Sequence, residues 1–203
     1  MWHEKESEFN FHAWLLSLDV RAAEQVRSAG CPHCGGCLHV ANYERKVRGL
    51  TEQAAAVGCY GLRLSLCCGR EGCRKRVTPP STRFSARRVY AAIVVLALSL
   101  SPSGAERAAA VQVGEVEERR GAPARSTRKR WRCWWQHTLF ATPWFGAMCA
   151  QFAEPAEGLS APDSLLAKFR GALTVRLQNL FVWLSPLTTI SLSYERSRIS
   201  MFR

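Results

Sequence analysis

Two cysteine-bearing segments decide the fold that we predict: residues 31–35, Cys31-Pro32-His33-Cys34-Gly35, and residues 67–73, Cys67-Cys68-Gly69-Arg70-Glu71-Gly72-Cys73. We call them the first and the second knuckle. Two thiolates separated by two residues can bind one metal ion from a tight turn, and the glycine that follows lets backbone amides turn towards the sulfurs. The loop of the second knuckle is longer, but its glycines allow it to fold back on the same ion. We therefore predict a tetrahedral zinc site held by Cys31, Cys34, Cys68 and Cys73.

Two alternatives for the ligands stay open at this point. Cys67 competes with Cys68, and Cys34-Gly35-Gly36-Cys37 is a second spacing that can bind a metal. Four thiolates around Zn²⁺ leave a charge of −2, and basic residues stand beside the second knuckle to balance it. Such a site has no open coordination position, so its role is structural. The competing interpretation is that some of these cysteines are merely small buried residues.

The stretch from 31 to 80 resembles the zinc ribbon of bacterial insertion-sequence transposases and their accessory proteins. The residues that carry the likeness are the first knuckle, then Arg63-Leu64-Ser65-Leu66-Cys67-Cys68, then Gly72-Cys73-Arg74-Lys75-Arg76-Val77-Thr78-Pro79-Pro80. In those ribbons a Cys-Pro-x-Cys-Gly knuckle leads to a strand, a second knuckle and a basic strand, and a helix-turn-helix often follows. The resemblance implies a DNA-binding protein of a mobile element that works with a separate transposase or integrase subunit. The doubled cysteine and the long second loop depart from the family pattern.

We predict a mainly α fold with a small β zinc ribbon, in four consecutive segments. Apolar residues recur at helical spacing before the ribbon and in the second half of the chain, whereas short alternating runs lie within the ribbon. The first segment, 1–30, is an N-terminal helix over 9–29, and the second, 31–80, is the zinc ribbon with strands at 38–47 and 62–66. The third, 81–150, is a helix-turn-helix-like domain with helices at 84–100, 105–120 and 125–138. The fourth, 151–203, is a linker followed by a C-terminal amphipathic helix, which Asp163 caps and which runs to Leu184.

The helix at 125–138 is the candidate recognition helix. At 3.6 residues per turn, Trp131, Trp134 and Trp135 share one face, and basic residues share the opposite face. A helix that docks through its apolar face and leaves its basic face free can read DNA, although a solvated basic face over a tryptophan core is the plainer interpretation. The segment also resembles the helix-turn-helix of the same transposase-associated family. The predicted DNA contacts are Arg125, Ser126, Thr127, Arg128, Lys129 and Arg132.

The charge balance favours a polyanionic partner. Among 203 residues, 28 are Lys or Arg and 16 are Asp or Glu, which gives a net charge of +12, and the pI is about 9.7. Basic residues concentrate beside and after the second knuckle, where they can bind phosphates. The predicted phosphate contacts of this strip are Arg74, Lys75, Arg76, Arg83, Arg87 and Arg88.

Several enzyme classes are excluded by the composition. Asp19 and Asp163 are the only aspartates, too few for a magnesium nuclease or transposase site built from several carboxylates. The chain has neither a phosphate-binding glycine loop followed by Lys nor a Gly-x-Ser-x-Gly elbow. We therefore predict no catalytic site and expect any strand-transfer chemistry to belong to another polypeptide.

The termini and the apolar runs bear on location and partners. The acidic N-terminus does not suit a secretory signal, and the apolar run from Val89 to Leu100 is shorter than the roughly 20 residues that span a bilayer, so it predicts a buried helix. We expect a cytoplasmic protein with reduced thiols. The leucine stripe of the C-terminal helix predicts core packing or, alternatively, a homodimer seam. The alternative function is a zinc-stapled protein–protein adaptor without sequence-specific DNA binding.

Overall fold

The computed structural model describes residues 10–58, 60–85, 90–101, 104–117, 123–149 and 162–188. This part of the chain is mainly α-helical with two small antiparallel sheets, which agrees with the predicted fold class at that level. The helices are α1 Phe11–Ala29, α2 Glu52–Val57, α3 Ala92–Ala97, α4 Ala105–Val113, α5 Arg125–Cys133, α6 Pro143–Cys149, α7 Asp163–Ala167 and α8 Leu173–Leu184. A π-helix, Trp134–Thr138, continues α5, and a 3-10 helix, Ser185–Thr188, continues α8. The strands are β1 Leu38–Val40, β2 Tyr43–Glu44, β3 Leu62–Arg63, β4 Leu66–Cys68 and β5 Arg76–Val77.

Helix α1 joins the metal-binding region to the rest of the molecule. The side chain of Asn10 caps its start by accepting a hydrogen bond from the backbone N–H of Ala13, and Gly30, at φ 80°, ends it as predicted. Its N-terminal half places Phe11 in the large hydrophobic core. Its last turns place Val26 against the small core of the ribbon. One continuous helix therefore contributes to both cores.

Each of the two predicted ribbon strands is divided between two sheets. Strands β1, β4 and β5 form one antiparallel sheet in the order β1-β4-β5, and β2 pairs with β3 in the other. The break falls where the side chain of Asn42 accepts the backbone N–H of Ser65 at 3.0 Å. The Asn42 side chain thus occupies the junction between the two short sheets.

The large core surrounds α3, whose six residues are all buried. This confirms the buried helix predicted for the apolar run, but the helix is much shorter than the predicted 84–100. Phe84 forms an isolated antiparallel bridge with Ala91, and the backbone N–H of Ala92 donates to the carbonyl of Arg83 at 2.8 Å. The described residues Phe84 and Ala91 therefore pair in antiparallel fashion, and α3 begins only at Ala92. No helix among the described residues is long and apolar enough to cross a membrane.

The leucine stripe near the C-terminus is used within the chain. Leu166, Leu177 and Leu180 are fully buried, and α8 packs against α4 and α7. These leucines pack in the chain's own core, as the core-packing interpretation predicts. The single predicted helix from Asp163 is interrupted at Gly171, whose φ of 105° is left-handed. Asp163 does not cap its own helix, since its Oδ1 accepts the backbone N–H of Ser101 at 3.0 Å.

A close approach at Gly49 gives a test of the packing around α3. Gly49 has a φ of 85°, and a Cβ added there would lie 2.7 Å from Cγ1 of the buried Val94. We expect Gly49→Ala to lower the free energy of unfolding by about 1–3 kcal/mol, because both the backbone and the core must yield. Urea denaturation measures the loss. Gly61→Ala is the matched control, since a Cβ at Gly61 meets nothing within 4 Å; equal losses in the two variants would contradict the packing described.

Candidate metal centre

Four cysteine sulfurs meet between the two knuckles. The Sγ atoms of Cys31, Cys34, Cys68 and Cys73 all lie within 4.8 Å of one another. The Sγ–Sγ distance is 3.5 Å between Cys34 and Cys68 and 3.8 Å between Cys31 and Cys73. A tetrahedron with metal–sulfur bonds of about 2.3 Å has sulfur–sulfur edges of about 3.8 Å. The structure therefore brings the four predicted ligands together in a group that fits a tetrahedrally coordinated metal ion.

The first knuckle is a tight turn that depends on two glycines. The backbone N–H of Gly35 donates to the carbonyl of Cys31 at 2.8 Å, and the N–H of Cys31 donates to the carbonyl of Gly36 at 2.9 Å. Gly35 has a φ of 71°, and the N–H of Gly36 points at the Cys34 sulfur. A Cβ at Gly36 would lie 3.2 Å from Sγ of Cys68 and 3.3 Å from Sγ of Cys34. A side chain at position 36 would thus intrude on the sulfurs.

The second knuckle closes its longer loop with one turn of backbone. The backbone N–H groups of Cys73 and Arg74 both donate to the carbonyl of Arg70, at 3.1 and 3.3 Å. Gly72 and Arg74 have φ values of 81° and 44°. The N–H of Arg70 reaches the sulfur of Cys68, and the N–H of Lys75 reaches that of Cys73. Each knuckle thus places backbone N–H groups near its sulfurs, where they favour the thiolate form.

The structure separates the two adjacent cysteines of β4. Side chains alternate between the faces of a strand, so Cys67 and Cys68 point in opposite directions. Cys68 is fully buried in the four-sulfur group, whereas the Cys67 thiol donates to the carbonyl of Arg74 at 3.5 Å. Cys37, the alternative partner of Cys34, is exposed and lies outside the group. Cys68 is therefore the member of the pair placed to bind a metal.

The surroundings of the sulfurs act in opposite directions on the pKa values of Cys34 and Cys68. The backbone N–H of Gly36, followed by the thiols of Cys68 and Cys73, lowers the pKa of Cys34 to about 7. The N–H of Arg70 favours the Cys68 thiolate, but burial and the hydrogen bonds with Cys34 and its neighbours raise the pKa of Cys68 to about 12. Ionisation of Cys34 is thus favoured, and ionisation of Cys68 beside it is opposed. A bound divalent cation supplies the compensation that four thiolates need.

Arginine side chains contact two aromatic rings between the ribbon and the large core. The guanidinium of Arg76 lies 5.5 Å from the Tyr43 ring centroid, and those of Arg45, Arg63 and Arg83 lie 5.5, 5.7 and 5.1 Å from that of Phe84. Such contacts stabilise cations against ring faces. We refer to this set as the arginine–aromatic ladder: Tyr43, Arg45, Arg63, Arg76, Arg83 and Phe84.

Asp19 ties α1 to the chain that leaves the ribbon. Its buried carboxylate accepts hydrogen bonds from the hydroxyl of Ser81 at 2.5 Å, the backbone N–H of Thr82 at 2.6 Å and the hydroxyl of Thr82 at 2.9 Å. It also forms an ion pair of 2.8 Å with Nε of Arg83. Because Arg83 is only 1% exposed and its charge is paired, the predicted phosphate contact by Arg83 is wrong. We call these four residues the Asp19 cluster.

The other predicted DNA contacts lie on two separate surfaces, apart from Arg87 and Arg88, which are outside the described residues. The knuckle surface consists of the exposed Arg70, Arg74, Lys75 and Arg76. The α5 surface carries the exposed Arg125, Ser126, Arg128, Lys129, Arg130 and Arg132, with Thr127 half-buried.

The packing of α5 agrees with only part of the recognition-helix prediction. Trp131 and Trp135 are buried behind the basic face, and the Trp131 ring contacts that of Tyr90 edge to face at 5.1 Å. The predicted division into apolar and basic faces is confirmed. The helix-turn-helix is not, because the predicted first helix, α4, packs chiefly on α3 and α8.

Comparison of this chain with protein-family models, with curated proteins and with solved structures gives no match.

Proposed function

We propose that this chain is a non-catalytic, zinc-dependent DNA-binding protein. The zinc ion would hold the two knuckles together and so keep the basic residues of the second knuckle in one fixed arrangement. The observation that carries this proposal is the group of four sulfurs within 4.8 Å, directly beside the exposed Arg70, Arg74 and Lys75.

The donor set favours zinc in a structural role. A tetrahedron of four thiolates is typical of closed structural zinc sites, with tetrathiolate iron as the chemical competitor. All four positions are protein ligands, so no water or substrate could bind the ion without displacing one. The small core beside the site consists of Cys31, Leu38, Leu66 and Cys68, two of which are themselves ligands. The ion would therefore supply folding energy that the ribbon lacks.

Charge on two surfaces supports a nucleic-acid partner. The nine residues of α5 include five Lys or Arg and no Asp or Glu, and the whole chain has a net charge of +12. Phosphate contacts by such residues release counterions and supply most of the affinity for DNA, while side chains near the start of a helix can reach base edges. In our proposal the knuckle surface binds phosphates, and the α5 surface, through Arg125 and Lys129, reads sequence.

The resemblance of residues 31–80 to transposase-associated ribbons supports a narrower assignment. We extend the proposal to an accessory or DNA-recognition role in a bacterial transposition system, with strand transfer carried out by a separate subunit. Reduced thiols at the site suit the cytoplasm. The adaptor alternative loses its main support, because the leucine stripe that was its expected docking surface is buried in the chain's own core.

The salt dependence of DNA binding tests the separate roles proposed for the knuckle surface and the α5 surface. We expect Arg74→Gln/Lys75→Gln to weaken binding to all duplexes and to reduce the slope of log K against log[salt] by about 2, since about 0.9 is lost per phosphate contact. Arg125→Ala/Lys129→Ala should abolish the preference for duplexes enriched from a random pool and leave non-specific binding in place. Fluorescence anisotropy from 50 to 300 mM salt measures both effects.

The matched control is Arg170→Gln, which removes an exposed charge outside both surfaces and should change neither slope nor preference. If the wild-type protein enriches no sequence, α5 does not read DNA. If neither double variant differs from Arg170→Gln, the DNA-binding proposal fails and the adaptor function replaces it.

A further inference from the structure

Arg63 is a buried arginine whose hydrogen bonds are incomplete. The residue is 1% exposed, and its Nη2 donates to the carbonyl of Pro79 at 2.7 Å. Its Nη1 is buried and has no hydrogen-bond partner among the described residues. A buried guanidinium with an unsatisfied N–H is costly, because desolvation is not repaid by a hydrogen bond. The position therefore calls for an acceptor.

The surrounding charges make that acceptor an anion. Arg45, Arg63 and Arg83 all lie within 6 Å of the Phe84 ring centroid. The carboxylate of Asp19 is paired with Arg83 and already accepts three hydrogen bonds from Ser81 and Thr82. Burial lowers the pKa of Arg63, and the like charges of Arg83 and Arg45 lower it further. Asp19 is engaged by Arg83, and none of the carboxylates in the described part of the chain forms an ion pair with Arg63.

We propose that Arg45 and Arg63 form an oxyanion site on the Phe84 ring that takes a phosphate group, either free phosphate or a phosphodiester of a nucleic-acid backbone. Arg63 would donate its unused Nη1–H, and Arg45 would supply a second guanidinium, since planar forks of N–H donors match phosphate oxygens. Arg45 is half-buried and is the most exposed of the three arginines around the ring. Entry of the ligand requires side chains around Arg63 to move, because Nη1 of Arg63 is inaccessible to solvent.

Inorganic phosphate is the first probe, used on the full metal-loaded chain. Phosphate should raise the unfolding temperature when it replaces chloride at constant ionic strength and pH. It should also shift the ¹⁵N side-chain resonance of Arg63. Arg45→Gln should weaken phosphate binding at least tenfold, whereas Arg170→Gln should leave it unchanged. Arg63→Gln is the direct test and should abolish phosphate binding. If Arg63→Gln does not fold, the phosphate affinity of Arg45→Gln and the Arg63 resonance of the wild-type protein still test the site.

Duplex DNA distinguishes the two sources of phosphate. If phosphate competes with the duplex and Arg45→Gln weakens duplex binding, the ligand is a backbone phosphodiester. If phosphate binds while Arg45→Gln leaves duplex binding unchanged, the site takes a free oxyanion. No stabilisation by phosphate beyond that of chloride, together with an unmoved Arg63 resonance, would overturn the proposal. The phosphate experiment uses no DNA, so its failure is separable from failure of the DNA-binding function.

Discussion

Replacing Cys68 by serine should release the metal and unfold the ribbon, with loss of the phosphate contacts of the knuckle surface and much weaker DNA binding. The ribbon has a core of four buried residues, of which Cys31 and Cys68 are ligands, so little holds it together once the ion is gone. Metal binding contributes about 10–16 kcal/mol in small zinc modules, more than such a core can supply. The large core is a separate cluster, so most of the helical circular dichroism should survive. Metal content by mass spectrometry and ribbon amide dispersion by NMR measure the effect.

Cys67→Ser is the matched control for this experiment, since it makes the same chemical change one residue away. Its thiol bonds the carbonyl of Arg74 and lies outside the four-sulfur group. We expect one zinc per chain in the wild type and in Cys67→Ser, and none in Cys68→Ser. Metal retained by Cys68→Ser and lost from Cys67→Ser would reverse the ligand assignment. A freshly purified, reduced protein that is metal-free and yet folded in the ribbon would remove the basis of the proposed function.

Asp19→Asn should be the most destabilising conservative change outside the ribbon. The substitution keeps the shape of the side chain but leaves Arg83 buried without its counterion, beside the already uncompensated Arg63. Breaking a buried ion pair by removing one partner costs about 3–5 kcal/mol. Denaturant unfolding of the metal-loaded protein, followed by tryptophan fluorescence, measures the loss.

Two further variants make this result specific. Asp163→Asn alters the other aspartate, which accepts one hydrogen bond from the backbone of Ser101, and should cost about 1 kcal/mol or less. The double variant Asp19→Asn/Arg83→Met should recover part of the stability lost in Asp19→Asn, because it removes the buried cation and keeps an amide oxygen that can accept from Ser81 or Thr82. If Asp19→Asn is no more destabilising than Asp163→Asn, the Asp19 cluster does not fasten α1 to the ribbon exit.

The parts of the fold that were predictable depend on local signals. Spacing and glycines within a few residues indicated both knuckles, and helical periodicity with a terminal Gly30 indicated α1. The choice between Cys67 and Cys68 was not local, because it depends on the register that pairs Cys68 with Leu38. The burial of Arg83 also could not be predicted from local sequence. Its neighbours in sequence are basic, but its partner Asp19 is 64 residues away, so counting charge along the chain placed it on the surface.

The predicted helix lengths were wrong for a related reason, because tertiary contacts determine where these helices begin and end. The predicted helix 105–120 ends at Val113, because Gly114 is its C-cap, Glu115 has a positive φ of 43° and Val116 forms an antiparallel bridge with Leu50. Hydrophobic periodicity carries no information about such a tertiary contact, so it could not predict where the helix ends. Helix α2 was not predicted; it spans six residues and begins at a Thr51 cap that accepts the N–H of Ala54 at 3.2 Å. Such a short helix is stabilised by its tertiary setting more than by its own propensity.

The path of α1 has a consequence for recombination between proteins of this kind. The helix spans about 28 Å at 1.5 Å per residue, with Phe11 in one core and Val26 in the other. A graft that joined foreign sequence at the start of the first knuckle would discard Val26 and expose one side of the transplanted ribbon. A chimera with the crossover point upstream of α1 would carry the whole helix but would need a recipient with a groove for Phe11. The part of this chain that carries the two knuckles thus depends on the N-terminal helix and is not an interchangeable cassette.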